Sequence, residues 1–158
     1  MLILGMALLI SGDDVLSWPE YSPKDGSFTA RFPQAPQERA SRTGKTWQHS
    51  EKDRVYNVAR SPLPGGEGAS PADIESALSK VRDNIKQRVE AKLKSEKRLN
   101  HRGIPAREFL FELPEGKGLL RLRCFAVKDE VWEIKVGGPK EFVSGKQADL
   151  FLEGLKVK

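Results

Sequence analysis

A single change of hydrophobic period limits what this chain can fold into. The apolar residues Ile74, Leu78, Val81, Ile85, Val89 and Leu93 recur at steps of four, three, four, four and four. That spacing keeps them on one face of a helix turning every 3.6 residues. Ser70 is placed to cap it, Pro71 takes the first helical position, and Asp73 lies near the positive helix end. The pattern predicts an amphipathic helix of about 22 residues. After it the period falls to two. Phe109, Phe111 and Leu113 share one strand face, and Leu120, Leu122, Cys124 and Ala126 share another, opposite Arg121, Arg123, Phe125 and Val127. Trp132, Ile134 and Val136 point together in the strand that follows the turn at 128–130.

Upstream of the helix, Asp25-Gly26 signals a turn into a strand that sets Phe28, Ala30 and Phe32 on one side. A hairpin is expected from 46–51 and 55–61, and a Gly- and Pro-rich connection over 62–70 leads to the helix. A short helix over 142–153, capped by Gly154, and a last edge strand over 155–158 close the chain. The expected fold class is α+β. An antiparallel sheet of about six strands carries the long amphipathic helix and the short C-terminal helix.

The 158 residues suit one domain, placed at 13–158, large enough to build a core without staples. Charged residues are 31% and hydrophobic residues 38%, which excludes a polytopic membrane protein and a fully disordered chain. The one cysteine, Cys124, allows no intrachain disulfide. Met1 to Ile10 form an apolar run followed by Ser11-Gly12-Asp13-Asp14. As a helix this run reaches about 15 Å, too short to span a bilayer but the length of a signal-peptide core. Residues 1–12 are therefore expected to be a signal peptide cleaved near Ser11 or Gly12, although no Lys or Arg precedes the run. The mature chain would be exported to the periplasm, the envelope or the medium, with no transmembrane span.

No motif carries a reaction. Gly-x-Ser-x-Gly is absent, and Cys124 reads as a small buried hydrophobe rather than a reactive thiolate. Gly65-Gly66-Glu67-Gly68 precedes a helix but lacks the strand and the Gly-Lys-Ser/Thr of a phosphate loop. His49 and His101 have no metal-binding spacing, so neither a metal site, a cofactor nor a catalytic set is expected.

One charge feature stands out. Lys80, Arg82, Lys86, Arg88, Lys92, Lys94, Lys97, Arg98 and Arg102 face only three acids, Asp83, Glu90 and Glu96, a local excess above the whole chain's net +5. Such a segment is either a solvated helix face with long stems covering apolar flanks or a docking surface for an anionic partner. It lacks interleaved aromatics for stacking bases, so nucleic acid is not favoured; a peripheral anionic polymer or membrane surface remains as the alternative.

The opening from Trp18 to Pro33, with its Asp25-Gly26 turn, aromatic strand and Phe32-Pro33, resembles that of PsbP-like domains. The later order is also similar: hairpin, long helix after a Gly/Pro connection, Gly103 to Glu108, a hairpin around Lys128-Asp129, and a closing helix with Phe151. The resemblance implies an α/β/α sandwich. It also implies a protein-binding or accessory module rather than an enzyme, as in many small exported bacterial proteins of unknown function. It transfers no functional residues.

Overall fold

A computed structural model describes residues 14–158; the proposed signal peptide, 1–12, lies outside the described residues. Ten strands and three α-helices follow one another. They are β1 (Glu20–Tyr21), β2 (Phe28–Arg31), β3 (Gln37–Ser41), β4 (Gly44–Ser50), β5 (Val55–Pro62), α1 (Pro71–Arg88), β6 (Lys92–His101), β7 (Ile104–Glu112), β8 (Leu119–Val127), β9 (Glu130–Gly138), α2 (Lys140–Val143), α3 (Lys146–Glu153) and β10 (Lys156–Val157).

Seven strands form one antiparallel sheet in the order β3-β4-β5-β9-β8-β7-β6, and β1, β2 and β10 form a small second sheet. The expected α+β architecture is present, with seven strands in the main sheet instead of about six. The polar stretch 34–45, which the sequence left open between a loop and a short strand, supplies β3, Gln37–Ser41, whose residues are all exposed. An edge strand without a buried face gives no alternation to read.

Alternation sends the strand residues into two separate cores. On one face Phe109, Phe111, Leu122 and Cys124 meet Ala77, Leu78 and Ile85 of α1. On the other, Trp47, Tyr56, Phe125, Trp132 and Ile134 meet Phe28 of β2, Phe32 just after it, and Phe151 and Leu152 of α3. The rings of Trp47 and Trp132 stack at 6.5 Å, and Phe28 meets Trp47 edge-on at 4.8 Å. Such pairs each add about 0.5–1.5 kcal/mol beyond the area they bury.

The long helix expected over about 22 residues is not found; α1 covers 18 and ends at Arg88. Its start is as expected: Ser70 Oγ accepts from the Asp73 amide at 3.1 Å, and the Asp73 carboxylate accepts from the Ser70 amide at 3.3 Å, a capping box. Its end was hidden. Glu90 adopts a left-handed φ of 52°, which turns the chain out of the helix. Leu93 then falls on β6 and still packs against the α1 core. A step of four residues fits one helical turn and two strand pleats equally well. The closing helix also divides, into α2 and α3 on either side of Ser144-Gly145.

Candidate functional site

The nine cations of 80–102 do not lie on one helix face. Lys80, Arg82, Lys86 and Arg88 belong to α1; Lys92, Lys94, Lys97 and Arg98 belong to β6, an edge strand; Arg102 sits in the turn after it. The turn is Arg102-Gly103, both with positive φ (50° and 85°), the primed geometry that matches strand twist.

Four of the nine are paired within the fold. Arg82 bonds Asp83 at 2.9 Å and Glu96 at 3.1 Å, Arg98 bonds Glu75 at 2.9 Å, Lys94 bonds Glu112 at 3.1 Å, and Lys97 lies 3.5 Å from Glu108. Arg107 joins the two elements, paired with Glu96 on β6 and Glu75 on α1 and bonded to Ser79 Oγ at 2.6 Å. The pairs Glu75–Arg98 and Arg82–Glu96 therefore fasten α1 to the sheet edge. Lys80, Lys86, Arg88 and Lys92 make no ion pair among the described residues.

A second charged group lies on the opposite face of the same strands. Glu108 of β7 faces Lys97 of β6 and Arg123 of β8 in the register. Its carboxylate accepts from Arg121 Nε at 2.8 Å and from Arg123 Nε and Nη2 at 3.0 and 2.9 Å. Arg121 also binds Asp149 of α3. Burial works to raise the Glu108 carboxyl, but the hydrogen bonds and charges of Arg121 and Arg123 hold it below its ordinary value.

His101 extends the chain of contacts. Arg123 Nη1 lies 3.2 Å from His101 Nδ1, and His101 Nε2 lies 2.7 Å from the Leu155 carbonyl. A guanidinium only donates, so Nδ1 accepts and Nε2 carries the proton that it donates to Leu155. Burial chiefly, with the positive charges of Arg123 and Arg102, holds the imidazole below its ordinary value and neutral. Its ring stacks on Phe125 at 4.5 Å.

Between this row and the C-terminal end of α3 opens a cleft of about 490 Å3, lined by Lys97, Leu99, Asn100, His101, Arg102, Arg123 and Glu153. A smaller hollow of about 200 Å3 adjoins it through Lys97 and reaches Glu108, Arg121 and Ser144. Of the larger cleft's lining, Lys97 and Arg102 are among the nine cations singled out in the sequence, and Leu99, Asn100 and His101 lie in the same stretch. The signal for the rest was Phe125. An apolar residue on the Arg121–Arg123 face of β8 means that face is covered too, so both arginines need a carboxylate, which Glu108 supplies.

Cys124 is buried on the α1 face, and its thiol is pushed up by burial and by Glu133. No group of three or more His, Cys, Asp or Glu side chains placed to hold a metal ion occurs among the described residues. No described helix is long and apolar enough to cross a membrane.

The fold is PsbP-like. The chain superposes over 98% of its length on 99% of the solution structure of cyanobacterial PsbP (CyanoP) from Synechocystis sp. PCC 6803, with a TM-score of 0.67 at 10% identity. It is also similar, over 80% of its length and 85% of the other chain, to a Pseudomonas aeruginosa protein of unknown function called a putative regulator, at a TM-score of 0.44 and 15% identity. No protein-family model matches the chain, and no curated protein matches it in sequence.

Proposed function

We propose that this protein is an exported, non-enzymatic binding or accessory module whose partner is another protein. The observation that carries the reading is the commitment of Glu108 and His101, two buried titratable groups beside the cleft. The Glu108 carboxylate accepts three hydrogen bonds from two arginines, and both His101 ring nitrogens are engaged. General acid or base work needs a group free to exchange its proton with a substrate at working pH. Glu108 is fixed as an anion and His101 as a neutral ring, and Cys124 is sealed in the core. Export is supported by the apolar run Met1 to Ile10 and its polar junction.

The alternative is a binder of an anionic polymer or membrane surface through 80–102. The internal pairing of Arg82, Lys94, Lys97 and Arg98 speaks against it, since paired cations release fewer counterions on binding a polyanion. The reading is tested by fractionating the native host and weighing the intact protein. A mature chain beginning near residue 12 in the envelope or exported fraction is expected. Full-length protein starting at Met1 in the soluble cytoplasm would overturn it.

A further inference from the structure

We propose that the cleft between β6 and the end of α3 binds a small ligand through an oxyanion, a carboxylate or a phosphate. This site is separate from the α1 surface and does not depend on the identity of a protein partner. Its volume, about 490 Å3, falls in the range of small-molecule sites, about 300–1,000 Å3.

The donors are placed by the fold. A guanidinium has five N–H groups. Arg123 commits Nε and one N–H of Nη2 to Glu108 and one N–H of Nη1 to His101, which leaves two donors on a side chain only 7% exposed that lines the cleft. Donors held away from bulk water are costly when unmet, so they favour an acceptor entering the cleft. Arg102 donates its Nε to the Glu153 carbonyl at 3.1 Å, which fixes its guanidinium at the rim, and its terminal nitrogens have no partner among the described residues. The Lys97 ammonium lies at the mouth with its side chain 64% exposed. Asn100 adds an amide, and Leu99 an apolar patch for the body of a ligand. Glu108, which is shared by Arg121, Arg123 and Lys97, lies outside the lining, so Glu153 is the one carboxylate on the cleft wall, and no ion pair neutralises it among the described residues. Three cations converging on one hollow, with a single opposing carboxylate on its wall, suit charge-assisted hydrogen bonds to an oxyanion.

The test titrates the purified protein with inorganic phosphate and, separately, with succinate, at low salt. Binding is read from the nitrogen and proton resonances of His101, Arg102 and Arg123. Saturable shifts confined to these residues are expected with one or both probes, and the probe that saturates names the oxyanion class. Lys97→Gln with Arg102→Gln should weaken binding at least about tenfold, the loss of two charge-assisted contacts. Lys80→Gln with Lys86→Gln removes the same charge from α1 and should change it less than about twofold. Glu153→Gln, which keeps the carbonyl that holds Arg102, should tighten it. Non-saturating shifts spread over the cationic surface, equal losses in the two double variants, or no tightening in Glu153→Gln would overturn the proposal.

Discussion

The Nη1 nitrogen of Arg123 lies 3.2 Å from Nδ1 of His101, and that contact requires the imidazole to be neutral. Protonating His101 would replace its acceptor with a second donor facing a guanidinium, among Arg102, Lys97 and the lone carboxylate of Glu153.

Acid should therefore weaken the fold in two stages. His101 is held below its ordinary 6.5, so the unfolded chain takes up its proton first. The native state keeps full stability above about pH 6.5 and loses it as pH falls from there through the folded value. Glu108, held below its ordinary 4.5, adds a second loss that begins near that pH and grows as pH falls through the folded value. Urea unfolding at a series of pH values from 7.5 to about 3 follows both. In His101→Gln the first stage should flatten, and unchanged pH dependence there would contradict the assignment.

Removing the carboxylate at the centre of the row should cost far more than removing a surface charge. Glu108→Gln leaves Arg121 and Arg123 part-buried with weaker partners, and the expected loss is about 3 kcal/mol or more. Lys94→Gln breaks only an exposed pair with Glu112 and should cost less than about 1 kcal/mol. Denaturant midpoints of the two variants give the comparison.

How far the sequence reveals this structure depends on how many pleats or turns separate its apolar residues. Phe109–Phe111 and Trp132–Ile134 sit two apart and announced their strands; Ser70-Pro71-Asp73 announced the start of α1. The end of α1 did not show, because Leu93 lies four residues after Val89, a spacing that helix and strand share, and Glu90 carries no left-handed preference in its side chain. The charged row beside the cleft was illegible for a different reason. Glu108, Arg121 and Arg123 come from two strands, and only the register brings them together. The nine cations had the opposite fate: contiguous in sequence, they are divided between α1, β6 and a turn, where acids from α1 and β7 neutralise several of them.

Cys124 should react slowly with a thiol reagent in the native state and quickly in denaturant, because it sits buried beneath α1 with its thiol pushed up. Rapid labelling of the folded protein would contradict its placement.

The cap of α1 is testable by Ser70→Ala. The change removes both the hydroxyl that accepts from the Asp73 amide and its bond to the Asp73 carboxylate. A loss of about 1 kcal/mol is expected from thermal or urea unfolding.

Whether the basic segment is structural or a docking face is decided most directly by the salt dependence of its polyanion affinity. Heparin is titrated across a range of salt concentrations into the wild type and into a variant with Lys80, Lys86, Arg88 and Lys92 changed to Glu. These four side chains make no ion pair among the described residues, so the variant should unfold within about 0.5 kcal/mol per site of the wild type. If the segment's charge is a solvated face, wild-type affinity is weak at physiological salt, around 10⁻⁴ M or poorer, and any protein that the wild type captures is still captured by the variant. Tight binding that falls steeply on a log–log plot against salt, and that the four reversals abolish, would contradict it.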